Sequence, residues 1–194
     1  MAAASPRIAL AALAAVAMAA PAATATWVVA GGCRDGAPHG AYELRTADGK
    51  LRSAGAFNKG ARSGSFFFWS SRGARIAQLP FEDDALSGTV ALWYLPRDAK
   101  GDPPPKLEAA YALGRRQGTT RSWYPDGRLR AEFRYDRGQV ADARAFGPAG
   151  APLPDTEANA LAARDLAADA EFLATLEALV REHPPSCAAN GSSP

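Results

Sequence analysis

Residues 118–138, GTTRSWYPDGRLRAEFRYDRG, decide the architecture. A run of strand-forming residues ends at Trp123, the turn sequence Pro125-Asp126-Gly127-Arg128 follows, and a second run from Leu129 to Tyr135 closes at Gly138. Pro presets a turn φ, Asp bonds to nearby backbone and Gly supplies a positive φ, so the segment is expected to form a β-hairpin. The same pattern recurs upstream. Gly40, Gly64 and Gly88 are spaced by 24 residues, and Gly118 follows after 30, the extra length being housed in the insertion Pro96–Pro105. Nine positions after the repeat glycine stand Gly49, Gly73 and Gly127, and twenty positions after stand Gly60, Asp84, Gly138 and, allowing for the insertion, Gly114.

Between these glycines the columns are chemically regular. Two and four positions after the repeat glycine stand Tyr42 and Leu44, Phe66 and Phe68, Val90 and Leu92, Thr120 and Ser122. Five positions after stand Arg45, Trp69, Trp93 and Trp123, and seventeen after, with the insertion, Phe57, Phe81, Tyr111 and Tyr135. A column filled by an aromatic in four of four units indicates stacked hairpins burying a shared face. The expected fold is mainly β: hairpin repeats form one long antiparallel sheet, with a C-terminal amphipathic α-helix packed across it.

At these residues the chain resembles the bacterial variant of the MORN repeat family over about residues 38 to 150. Its units read as Gly, a short aromatic strand, a Tyr-Pro-Asn/Asp-Gly-like turn, then a second strand ending in an aromatic and Gly. Trp123-Tyr124-Pro125-Asp126-Gly127-Arg128-Leu129 matches best, and the first unit fits through Asp48-Gly49-Lys50-Leu51 and Phe57-Asn58-Lys59-Gly60. The second halves of the middle units are degenerate, and Phe146 to Gly150 reads as a worn fifth unit. The resemblance implies an interaction scaffold or membrane-associated protein; some bacterial members are labelled toxin-antitoxin system antitoxins.

Residues 1–25 read as a secretory signal: Arg7, an apolar run from Ile8 to Ala20, Pro21, and the small-residue site Ala23-Thr24-Ala25, with cleavage expected before Thr26. An uncleaved anchor is the competing reading; a lipoprotein is disfavoured because no Leu stands three residues before Cys33. Residues 26–37 form an N-terminal segment, 38–150 the repeats, 151–183 a linker and helix, and 184–194 a tail. Export to an oxidising periplasm favours a disulfide between Cys33 and Cys187, against the alternative of free or intermolecular thiols. Asn190-Gly191-Ser192 matches a glycosylation acceptor by chance in a bacterial chain.

From about Thr156 to His183 the chain loses Gly and Pro. Leu166, Ala170, Leu173 and Val180, with Phe172, Leu176 and Leu179, recur at helical spacing. Asp155 is the expected N-cap and Pro184-Pro185 the stop. About 27 helical residues span roughly 40 Å, and eight expected strands make a sheet roughly 38 Å broad. The helix can therefore run back across the whole sheet and bring Cys187 to the edge holding Cys33. The segment carries seven acidic and two basic residues, against 19 basic and 13 acidic in residues 33–150, a contrast that favours docking of the helix on the repeats, with a solvated charged face as the equal alternative for most of these side chains.

The chain has 194 residues, 47% hydrophobic, with 22 Lys+Arg and 20 Asp+Glu, a composition that excludes intrinsic disorder and a multi-pass membrane protein. It has no Gly-x-Ser-x-Gly elbow, phosphate-binding Gly loop, or Cys or His pair at metal spacing, so no catalytic residue, metal or cofactor is expected. His39 lies in a turn, His183 ends the helix, and Glu82-Asp83-Asp84 reads as a solvated loop. The chain is expected to be a non-catalytic exported binding or scaffold module of the bacterial envelope. An antitoxin or immunity-type inhibitor and an unrecognised hydrolase are the alternatives. With Tyr42, Leu44, Phe66, Phe68, Val90 and Leu92 under the helix, the opposite face would present Trp69, Trp93, Trp123, Arg45, Phe67 and Arg121 to a protein or peptide. An anionic lipid or a glycan is a further candidate partner, drawn by the positive repeats, whereas export argues against nucleic acid.

Overall fold

The computed structural model describes residues 26–95 and 103–187. The signal segment, the centre of the insertion and Asn190-Gly191-Ser192 lie outside the described residues. The strands are β1 (Trp27–Arg34), β2 (Ala37–Thr46), β3 (Leu51–Asn58), β4 (Ala61–Trp69), β5 (Arg75–Glu82), β6 (Ala85–Leu86), β7 (Gly88–Trp93), β8 (Pro105–Ala112), β9 (Arg115–Trp123), β10 (Leu129–Asp136) and β11 (Gln139–Ala145). They form one open antiparallel meander, β1-β2-β3-β4-β5-β7-β8-β9-β10-β11, with the short β6 on β5. The eight strands expected become eleven, because residues 26–37 supply β1 and the start of β2, Ala85 and Leu86 form β6, and residues after Gly138 form β11.

Two kinds of turn alternate along the sheet. On one side, Asp35-Gly36, Lys59-Gly60, Asp83-Asp84, Leu113-Gly114 and Arg137-Gly138 all have φ between 46° and 91°, the two-residue turn whose twist matches that of paired strands. On the other side Gly127 donates its N–H to the Tyr124 carbonyl at 2.9 Å, and Tyr124 donates to the Arg128 carbonyl at 2.8 Å. Gly49, Gly73 and Gly150 close equivalent turns, so with Gly127 this turn occurs four times, the last where Gly147 accepts from Gly150.

A β-bulge recurs beside the second kind of turn, with register shifts at Leu44/Arg45, Phe68/Trp69, Leu92/Trp93 and Leu129/Ala131. The extra residues are Arg52, Ile76, Lys106 and Arg130. Bulges re-aim side chains, and here they add a residue per unit to the helix-covered face: Ile76 packs on the core, Lys106 lies 5.7 Å from the Phe172 ring and Arg130 pairs with Asp165.

Helix α1 (Asp155–Arg181) runs back across the sheet. Ala158, Leu161 and Ala162 pack with Phe133, Tyr135 and Ala145 near β11. Leu173, Leu176 and Val180 pack with Tyr42, Leu44, Phe66, Phe68, Val90 and Leu92 toward β1. Each fully buried large apolar side chain contributes roughly 1.5–3 kcal/mol, so this face carries most of the stabilisation. The Tyr42 hydroxyl donates to the His183 carbonyl at 2.9 Å, and burial pushes its phenol up to about 12, so it remains a neutral donor. Cys33 and Cys187 form a disulfide with a Cα–Cα distance of 5.7 Å.

Two expectations about the helix are corrected. Its N-cap is Pro154, without a side-chain cap, and Asp155 is the first helical residue; Pro is pre-organised for a helix start and an acidic first turn still suits the dipole. Ala170 is exposed and Asp169 is buried in its place, because Asp169 meets an arginine from the sheet.

Candidate functional site

The bed under α1 uses one face of every strand, and alternation sends the intervening side chains to the other face. There the repeat column five residues after each repeat glycine becomes a row. Arg45 on β2, Trp69 on β4, Trp93 on β7 and Trp123 on β9 sit on every second strand of the sheet order. Adjacent indoles are therefore about 9–10 Å apart along the row, two strand spacings. Trp69 is paired in register with Arg75, Trp93 with Pro105, and Trp123 with Leu129. Arg75 stacks on Trp93, its guanidinium carbon 4.4 Å from the ring centroid. All three indoles are half-buried, lying along the surface rather than standing free of it.

Phe67 and Arg121 belong to the next row, two residues deeper in their strands. Phe67 lies between Ala54 and Gln78, its ring 6.3 Å from that of Trp69. Arg121 lies between Glu108 and Glu132 and pairs with Glu132 at 2.7 Å, while Glu132 is opposite Arg144. The row is thus uncharged toward β4 and a ladder of alternating charge toward β11.

Arg45 is held by Glu43 at 2.9 Å and donates to the Gly49 carbonyl. The face presents Arg45, Arg75, Arg121, Arg134 and Arg144 against Glu43, Glu108, Glu132 and Asp142, close to neutral. The excess positive charge of the repeats lies instead under the helix. Arg116 pairs with Asp169 at 2.6 Å, Arg62 with Glu177 at 2.8 Å, and Arg130 with Asp165. Those arginines dock the acidic helix.

Arg75 was invisible to repeat reasoning, because its column reads Leu51, Arg75, Pro105, Leu129 and carries no common chemistry. The other reactive-looking groups have structural work. The backbone N–H of Lys59 donates to His39 Nδ1, and His183 Nδ1 lies 2.9 Å from the Leu179 carbonyl. Asp84 is not simply solvated: burial raises its carboxyl, but hydrogen bonds from the Arg62 side chain and backbone N–H outweigh that and hold it below the usual carboxylate value.

Among the described residues no group of three or more His, Cys, Asp or Glu is placed to hold a metal, and no helix is long and apolar enough to cross a membrane. No protein-family model matches the chain, and no curated protein matches it in sequence.

Proposed function

We propose that this chain is a non-catalytic exported binding module of the bacterial envelope, of the MORN-variant kind, whose open sheet face grips an extended, proline-rich stretch of a partner protein. The observation that carries the reading is the row Trp69, Trp93 and Trp123 on alternate strands, with Arg75 stacked on the middle indole. Polyproline II rises about 3.1 Å per residue with three residues per turn, so every third side chain returns to one side after about 9.3 Å. That repeat matches the indole spacing. A ligand in β conformation repeats on one face every two residues, about 6.8 Å, and falls out of step with the row. Aromatic grooves favour such ligands because the helix is preformed and its carbonyls are unpaired, open to the arginine and indole donors. The near-neutral face suits an apolar, weakly charged peptide. The Cys33–Cys187 disulfide supports export, since such bonds persist in oxidising compartments.

The test is to replace Trp69, Trp93 and Trp123 singly by Ala and titrate each variant with a peptide carrying Pro at every third residue. The expected result is affinity weakened by about tenfold or more, as for an interface anchor, with melting temperature nearly unchanged. No binding by the native chain, or a large fall in melting temperature for each variant, contradicts the reading.

A further inference from the structure

The tail that follows α1 finishes the helix's cover over the last strand, β1. Pro185 is buried, and its ring fills the space above Gly31, where a Cβ would come within 2.7 Å of it. Gly31 is opposite Tyr42 in the sheet, so this is the helix-covered face. His183 lies against Trp27 with ring centroids 5.1 Å apart, and its carbonyl accepts from the Tyr42 hydroxyl. Trp27 and Val29, on the same face of β1, are only partly buried at the margin of the core. Yet little but covalent bonding holds the tail. Beyond the His183 N–H, which bonds to the Val180 carbonyl at 3.2 Å, no backbone hydrogen bond among the described residues fixes it, Pro184 and Pro185 having no N–H to give. Pro184 and Ser186 are exposed, and Pro184 rims an open cleft of about 370 Å³ shared with Pro38, Phe57 and Val180. One buried ring is thus set against the conformational entropy of four ordered residues. The far end of the tail is pinned by Cys187 to Cys33.

We infer that the Cys33–Cys187 bond is a redox latch: a dithiol reductant opens it, the tail undocks, and the β1 end of the core is bared. Cys33 is exposed on the edge strand and Cys187 is half-buried, so a thiolate of the reductant attacks the Cys33 sulfur and Cys187 leaves as thiolate, carrying the tail with it. The reductant's second thiol then attacks the reductant's own sulfur in the mixed disulfide and frees Cys33. In sum the two cysteines take up two electrons and two protons, and the dithiol becomes a disulfide. Exposed disulfides are the labile and regulatory ones, whereas structural bonds resist reduction. Opening is local, because the rest of the fold has its own supports. The strands are hydrogen-bonded in one sheet from β1 to β11, and Arg62, Arg116 and Arg130 hold the helix through Glu177, Asp169 and Asp165. The latch lies on the helix side of the sheet, so it stands independently of the peptide-binding row.

The test is a proton–nitrogen correlation spectrum of the oxidised chain, recorded before and after millimolar dithiothreitol and again after reoxidation. The chain carrying Cys33→Ser and Cys187→Ser together serves as the permanently open form. Trp27 reports on the tail through its contact with His183. The expected result is that the Trp27 indole N–H signal moves on reduction, returns on reoxidation and takes the reduced position in the double variant, while the Trp69, Trp93 and Trp123 signals keep theirs. A bond that resists dithiothreitol, or a Trp27 signal that stays in place in the reduced chain, would overturn the inference. So would a collapse of all four signals to unfolded positions, because the bond would then be a staple of the whole fold and not a latch on its end.

Discussion

Arg116 shows what a single residue does here that its place in the sequence does not announce. It is 2% exposed, its guanidinium reaches Asp169, Tyr111 and Tyr135, and although burial disfavours its charge, Tyr111 and Asp169 more than offset that. Breaking a buried pair from one side strands the other charge, so Arg116→Met should cost about 3–5 kcal/mol in chemical unfolding, and adding Asp169→Leu should recover most of it. A single-variant loss under about 1 kcal/mol would contradict this account. Asp84 makes a pH prediction. Its native carboxyl titrates below the unfolded value of about 4, so it contributes stability above that pH and loses it as pH falls through the native value. Melting temperature should fall more steeply with acid in the native chain than in Asp84→Asn, which keeps a residue tolerant of the left-handed backbone at φ 66°; parallel profiles would refute it. Arg115 and Arg116 stand side by side in the sequence, and only the strand's alternation over a docked helix decides which is buried.

At the scale of elements, the hairpins were legible because their turns demand particular residues and because the same columns recur. The bulges were not, since each needs only an extra residue, and the column they occupy, Arg52, Ile76, Lys106, Arg130, mixes charge with apolar side chains. The face assignment was legible from period-2 alternation, which put Tyr42, Leu44, Phe66, Phe68, Val90 and Leu92 under the helix. The N-cap was misread because Asp155 follows a proline that is itself suited to begin the helix. Three turns depart from their own chemistry: Lys59, Leu113 and Arg137 sit at φ 49°, 48° and 49°, where Asn is at ease and other side chains are strained, and the apolar Leu113 is moreover 82% exposed. Leu113→Asn should raise stability by about 1 kcal/mol, read as a higher melting temperature; a lower one would show that Leu113 makes a contact of its own.

The whole molecule is a long sheet that one helix spans from end to end, with the disulfide closing a separation of 154 residues. Such a loop restrains the unfolded chain by about 5 kcal/mol in the chain-entropy treatment. Nine spacings across ten strands make about 43 Å, and 27 residues of helix make about 40 Å, which is why the helix end and β1 meet. With one face engaged in this way, the proposed recognition belongs to the other, and the chain's four tryptophans divide between the two. Trp27 lies against His183 under the helix, with ring centroids 5.1 Å apart, while Trp69, Trp93 and Trp123 lie on the open face. A proton–nitrogen correlation spectrum recorded during titration with a peptide bearing Pro at every third residue resolves all four indole N–H signals. The account predicts that Trp69, Trp93 and Trp123 shift together, along one saturation curve, while Trp27 stays in place; a spectrum in which none of the three moves, or in which Trp27 moves with them, would contradict it.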